Sequence, residues 1–442
     1  LLSNVGTLQK NVSGAHTVYG MDSSPVAYTE LDSTGKVNKA YVYMGMRRGG
    51  SSYYALNVST PDSPSLMWTI TADSSGFSEL GQSWSEPVVT TIPGHEGPVL
   101  IIGGGYDTRY DSDVIPTDPQ GKAIYIVDAV TGKLIHSFSN TGSNGTAVSG
   151  FSDSFPNAVA ILDSNNDGKT DRIYATDVGG NVWRLDLASS TKTEWSAFKF
   201  ADLGGSGSND RRFFAEAAVA QTVFSNIAQV NVNGTVTTSY QNVPYDAVVI
   251  GSGKRPNPTG TDITDMFFVL QDRNVVTKSY SSSDAPAALT LANLYDVTAA
   301  APKTEAENVS FGKKRGWMYN FTGVGEKSLT AALIVDGKVY FTSFVPAVNS
   351  VSELVCTASG QGRLYVFDLH KGTRTYSHTY YELGERVPDT PQIVIPAPES
   401  GEDPYIYIIG VGKGEKIGDD YSGTINVGAG LGVNKIYYHI NE

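Results

Sequence analysis

"DRIYATDVGGNVWRLDL", residues 171–187, is the stretch whose reading decides the fold. "RIYAT" and "NVWRLDL" are rich in aromatic and branched aliphatic residues, and the Gly-Gly between them breaks the run, so the stretch predicts two strands joined by a tight turn. The same formula recurs. "KAIYIVDAVTGKLIHSF" and "GRLYVFDLHKGTRTYSH" each place an Asp and a glycine turn after an aromatic-aliphatic strand, and "SSYYALNVSTPDSPSLMWTI" and "DMFFVLQDRN" are variants of it. Upstream lies a further pair of strands, as in "SEPVVTTIP" before "GPVLIIGGG", "FPNAVAILD" before "DRIYATDVGG", and "TPQIVIPAP" before "PYIYIIGVG".

A unit of roughly four strands that recurs every ~50 to 80 residues predicts an all-β protein, a modified β-propeller with loop insertions. Six units are visible, with first strands starting near Ser24, Trp84, Ser154, Arg211, Leu329 and Asp389. A seventh is assigned to residues 278–321, where the pattern is weak, giving about seven blades. An array of β-sandwiches is the alternative, although isolated sandwiches would not share one strand formula. We read residues 1–442 as a single domain and the Ala- and Ser-rich residues 279–310 as an insertion within it. The last strand, "KIYYHIN", is expected to close the ring against N-terminal sequence.

The chain has 442 residues, with 32 Lys and Arg against 45 Asp and Glu, a net charge of −13. An acidic surface argues against nonspecific nucleic-acid binding and suits cation binding. No apolar run reaches the ~18 residues of a membrane-spanning helix. Cys356 is the only cysteine, so an intramolecular disulfide and CxxC chemistry are excluded. The first residues lack both an initiator Met and a signal-peptide pattern, and we read the chain as a C-terminal fragment of a longer secreted protein.

The acidic loop before "RIYAT" carries the chemistry. Asp163, Asn165 and Asp167 alternate along it; Gly168, Lys169 and Asp171 follow. Side-chain oxygens at the first, third and fifth positions converge when the backbone coils tightly, glycine at the sixth permits the turn, and the carbonyl of the seventh faces the same point. Ca²⁺ takes six to eight hard oxygen ligands at about 2.3–2.6 Å. An EF-hand places a bidentate Glu at its twelfth position; Tyr174 stands there and cannot serve, so Asp171, at the ninth, is expected to close the site. The expected ligands are therefore Asp163, Asn165, Asp167, Asp171 and the Lys169 carbonyl, in a shortened EF-hand-like loop that joins two strands. A metal-free Asx-rich hairpin is the bland alternative, and Mg²⁺ suits the loop less because it demands stricter octahedral geometry.

Other signals are weaker. Asp107, Asp111, Asp113 and Asp118 share one loop; we read it as solvated, with a second cation site as the alternative. "GSGKRP" lacks the GxxxxGK[ST] frame and reads as a turn after the strand "AVVI". His16, His95, His136, His370, His378 and His439 form no HExxH, and no GxSxG elbow is present.

Several stretches, in order, resemble the C-terminal domain of the PilC/PilY family of type IV pilus tip-associated adhesins. They are "HTVYGMDSSPV", "YMGMRRGGSSYYALNV", "GGGYDTRYDSD" with "AIYIVDAVTGKLI", the acidic loop with "DRIYATDVGGNVWRLDL", "VVIGSGKRP", "RGWMYNF", "VYFTSFVP", "GQGRLYVFDL" and "RVPDTPQIVIP". The resemblance implies a propeller of about seven blades in a secreted protein of a Gram-negative bacterium, at the pilus tip or outer cell surface. It implies a Ca²⁺ site on Asp163, Asn165, Asp167, Lys169 and Asp171 that influences pilus extension against retraction, twitching motility and adherence. It also implies minor pilins and host-cell receptors as partners. The RGD motif of some members is absent. A noncatalytic calcium-binding module is the expected function. A quinoprotein-like enzyme and a structural spacer stapled by calcium are the alternatives; a lone Cys356 excludes the paired cysteines many such enzymes carry beside the cofactor.

Overall fold

A computed structural model describes residues 19–112, 114–347, 360–385, 387–394, 406–409 and 424–425. The described strands form six sheets, each assembled from strands nearly consecutive in the chain. The first holds β1 (Val26–Leu31), β2 (Val37–Gly45), β3 (Tyr53–Asn57) and β4 (Ser65–Ile70). The second holds β5 (Val88–Thr90), β6 (Val99–Gly103), β7 (Ala123–Asp128), β8 (Leu134–Ser139) and β9 (Gly145–Ala147). The third holds β10 (Ala160–Leu162), β11 (Arg172–Thr176), β12 (Asn181–Asp186) and β13 (Ser196–Asp202).

The fourth sheet holds β14 (Ala218–Val232), β15 (Thr235–Gly251), β16 (Met266–Asp272), β17 (Tyr295–Asp296) and β18 (Gly316–Asn320). The fifth holds β19 (Leu333–Val335), β20 (Lys338–Pro346), β21 (Gly360–Asp368) and β22 (Tyr381–Gly384); the sixth holds β23 (Gln392–Val394), β24 (Ile406–Ile409) and β25 (Thr424–Ile425). Each sheet opens a few residues after the position expected for it. Residues 278–321 supply β17 and β18 to the fourth sheet and make no sheet of their own. That region also carries one α-helix, α1 (Glu305–Gly312), closed at its start by a Thr304–Glu307 capping box. "KIYYHIN" and Cys356 lie outside the described residues.

The chain divides into two compact units: residues up to Phe200 with Thr277–Ala287, and Ala201–Val276 with the residues from Ala288 on. In the first unit the second sheet is buried on both faces. Along β6, Val99 and Ile101 join one hydrophobic cluster while Leu100 and Ile102 join another; along β7, Ile124 and Ile126 join the first while Ala123, Tyr125 and Val127 join the second. Alternation by two sends neighbouring side chains to opposite faces, so a strand covered on both sides reads as an unbroken apolar run. This is why "VLIIG" and "AIYIV" carry no polar residue. In the second unit Phe267, Trp317, Phe341, Tyr365 and Phe367 fill one cluster, with the Phe267 and Phe341 rings stacked at 3.5 Å.

The Asp-turn-Gly formula has a packing cause. Asp128 Oδ1 accepts from the N–H groups of Val130 and Thr131, which folds the turn to Gly132 (φ 70°). A Cβ on Gly132 would meet Trp68 Cγ at 2.7 Å, and Trp68 Nε1 donates to the Ala129 carbonyl at 3.0 Å. The later copy repeats this: Gly372 (φ 68°) lies against Trp317, whose Nε1 donates to the Leu369 carbonyl at 3.0 Å. Each turn thus rests on the indole of the preceding sheet, and only glycine leaves room for it.

Candidate metal site

The acidic loop joins β10 to β11 in the first unit. Its backbone turns through two left-handed residues, Asn166 (φ 62°) and Gly168 (φ 82°). The loop's own N–H groups hold its oxygens in place. Asp163 Oδ1 accepts from Asp167 N at 3.2 Å and Asp163 Oδ2 from Gly168 N at 2.8 Å. Asn165 Oδ1 accepts from Asp167 N at 2.9 Å, and Asp167 Oδ1 from Lys169 N at 2.9 Å. The coil therefore draws Asp163, Asn165 and Asp167 onto one turn, with Asn165 and Asp167 exposed.

Asp171 lies at the other end of the loop. It is 4% exposed, and its two oxygens accept from Ser164 N (2.9 Å) and Ser164 Oγ (2.7 Å), closing the base of the loop. Among the described residues, Asp163, Asp167 and Asp171 form no ion pair with Lys, Arg or His, and no three Asp, Glu, His or Cys side chains are gathered into a ready metal cluster. The donor set nonetheless suits a hard cation: it is all oxygen, and each carboxylate oxygen that accepts one N–H keeps a second lone pair.

Hydroxyls that sequence reasoning did not single out brace this loop. Thr91 Oγ1 donates to the Gly168 carbonyl at 2.8 Å, Thr170 N donates to the Thr91 carbonyl at 2.8 Å, and the Thr90 and Thr170 hydroxyls lie 2.7 Å apart. Ser164 Oγ also reaches Thr277 Oγ1, at 2.9 Å. Arg172, next after Asp171, pairs across the strands with Asp186; both and Arg184 are fully buried, with Arg184 Nη2 2.7 Å from Asp186 Oδ1.

The second acidic loop is built differently. Asp107 is buried and takes Arg109 Nη2 at 2.6 Å and Gln120 N at 2.8 Å, while Asp118 pairs with Lys122. Asp111 accepts from Tyr106 Oη at 2.7 Å; Asp113 lies outside the described residues. Two of these carboxylates are thus already neutralised by the chain's own cations. "GSGKRP" is a turn leaving β15, where Gly253 N donates to the Arg212 carbonyl at 2.9 Å.

Residues 6–256, which contain the candidate loop, match the family described as the PilY1 beta-propeller domain. The chain belongs to that family. The type IV pilus biogenesis factor PilY1 of Pseudomonas aeruginosa strain PAO1 is 27% identical over 250 residues, covering 54% of this chain and 19% of that protein. A PilY1 homolog of Xylella fastidiosa strain Temecula1 is 22% identical over 354 residues, covering 74% of this chain and 21% of the relative. The chain thus spans about a fifth of the length of these relatives. The crystal structure of the P. aeruginosa PilY1 C-terminal domain superposes with a TM-score of 0.59 at 18% identity, covering 92% of this chain and 86% of that one. That likeness establishes the all-β propeller fold of this family member. Among the described residues no helix is long and apolar enough to cross a membrane.

Proposed function

We propose that this chain is the propeller portion of a type IV pilus biogenesis factor and acts without catalysis, as a surface module whose acidic loop binds one Ca²⁺. The ligands are the side chains of Asp163, Asn165, Asp167 and Asp171 and the Lys169 carbonyl. The observation that carries this reading is that three carboxylates stand within residues 163–171 with no cationic partner among the described residues, two of them on one coiled turn. Bound Ca²⁺ would offset their mutual repulsion, taking the local charge from −3 to −1. At free calcium ~1000-fold above Kd the bound state gains about 4 kcal/mol, enough to stiffen a loop and small beside the core of a domain this size.

In this reading the domain is secreted and works at the pilus tip or outer surface of a Gram-negative cell, with minor pilins and host-cell receptors as partners. The ion biases pilus extension against retraction and so affects twitching motility and adherence. The names of the relatives support the pilus role. The test is in the bacterium: full-length protein carrying Asp167→Ala or Asp167→Lys, with surface pili counted and twitching zones measured. A change in either, at normal protein level, is expected. Normal piliation, twitching and adherence in a variant that no longer binds Ca²⁺ would reduce the ion to a local staple.

A further inference from the structure

The β14–β15 hairpin plays no part in that reading. Its strands pair without interruption from Ala218↔Val249 to Val232↔Thr235, around an Asn233–Gly234 turn with φ 51° and 85°. Both central residues are left-handed, as a two-residue hairpin with the sheet's twist requires. β16 pairs with β15 only from Asp246 to Gly251, so residues 235–245 have β14 as their one strand neighbour. At about 3.3 Å per residue, some ~35 Å of two-stranded ladder runs past the sheet. β14 ends the sheet order, and among the described residues no backbone group of residues 222–245 bonds to backbone outside the ladder. α1 packs against β14 and touches the ribbon through side chains, with Asn226 Nδ2 donating to the Gly312 carbonyl and Thr238 Oγ1 to Glu305.

Strand edges without backbone partners are a template for another strand, and proteins usually blunt such edges with charged side chains or proline. This ribbon carries no charge, and its one proline, Pro244, lies at its base opposite Val223. Residues 217–245 hold no Asp, Glu, Lys, Arg or His, the longest uncharged run in a chain of net charge −13. Toward the tip Val230 is 51% exposed, Val232 56%, Val236 58% and Tyr240 69%. A two-stranded hairpin is marginal alone and gains stability from each added strand.

We propose that this ribbon pairs edge to edge, antiparallel, with the same ribbon of a second copy of this chain. A two-fold contact needs a patch that can meet itself. Two copies of a chain of net charge −13 repel each other overall, whereas no register of ribbon on ribbon opposes like charges among the ribbon's own residues. The ribbon strands themselves carry no charge, so the contact should depend only weakly on salt.

Sedimentation velocity over a concentration series tests this on the parent chain and on Val230→Lys and Tyr240→Lys. Both residues are exposed, and retained folding is checked by thermal melts. The expected result is a reversible dimer whose Kd changes less than ~2-fold between low and high salt and rises at least ~10-fold in each variant. Amide exchange over residues 228–243 should slow on dimerisation. A parent that stays monomeric throughout, including one whose ribbon binds a different protein, overturns the proposal. So does a dimer unchanged by both variants.

Discussion

The hydroxyls of Ser164 and Thr277 lie 2.9 Å apart, joining the base of the acidic loop to a segment far along the chain. Thr277 Oγ1 also accepts from Arg172 Nη2 at 2.8 Å. Residues 277–287 belong to the first unit, where Tyr280 N donates to Ser196 Oγ at 2.9 Å and the Tyr280 ring lies 4.9 Å from that of Phe198. Loop and segment are therefore held by one shared hydroxyl.

Thr277→Val keeps the shape and removes that hydroxyl, taking from the buried Arg172 guanidinium a group it donates to. We expect a loss of about 1–2 kcal/mol, with faster amide exchange in both residues 164–168 and 278–286. Exchange that quickens in neither segment would show the contact to be incidental.

His136 gives the first unit an acid sensitivity. It is 6% exposed between the rings of Phe138 and Trp195, each 5.0 Å away, and its Nε2 lies 2.9 Å from Thr146 Oγ1. Burial, helped by the charge of Lys192, pushes its pKa down to about 4. The native imidazole stays neutral where the unfolded one binds a proton. Its contribution is therefore complete above about pH 6.5 and is lost as pH falls toward 4, by up to about 3 kcal/mol. Urea unfolding of His136→Phe should show about 2 kcal/mol less loss between pH 7 and 4.5 than the parent. Parallel curves would contradict the assignment.

Glu326 organises the second unit. It is 1% exposed and accepts from Ser343 Oγ (2.5 Å), Tyr365 Oη (2.5 Å), Arg363 Nη1 (2.7 Å) and Gly323 N (2.8 Å). Arg363 Nη1 and the Gly323 N–H can only donate, so Glu326→Gln must turn its N–H toward the Ser343 and Tyr365 hydroxyls, forcing them to reverse, and leaves Arg363 without its counter-charge. A loss of about 2–4 kcal/mol in denaturant unfolding is expected. A loss below ~0.5 kcal/mol, the size of an ordinary surface change, would contradict this.

The strand formula was legible because sheets covered on both faces write themselves as unbroken apolar runs, and because Gly132 and Gly372 must be glycine to lie against Trp68 and Trp317. β17 escaped because two residues, Tyr295 and Asp296, pairing parallel to β18, leave no periodicity to read. At the loop, alternating carboxylates and the Gly168 turn were visible in the sequence. Thr90, Thr91, Ser164 and Thr277 were not, since isolated hydroxyls carry no spacing and Thr277 stands 113 residues from Ser164. Asp107 looked like one of several solvated acids; only the fold brings Arg109 and the Gln120 N–H onto it.

The ligand variants should separate binding from folding. Asp167 is exposed and gives up the acceptor for the Lys169 N–H, so Asp167→Ala should unfold within about 1 kcal/mol of the parent in chelator and lose the parent's stabilisation by Ca²⁺. Asp163→Ala removes the acceptor for the Asp167 and Gly168 N–H groups and should loosen the turn even without metal, seen as faster exchange there. Asp167→Lys should melt at or above the metal-free parent, because its ammonium offsets the same repulsion. Melting of Asp167→Lys well below that point would speak against crowded charge as the loop's defining feature.

Isothermal titration of Ca²⁺ into the metal-stripped chain, beside Asp167→Ala, bears most directly on the calcium site. The prediction is one site per chain in the parent and none in the variant. No binding in the parent, or equal binding in Asp167→Ala, would contradict it.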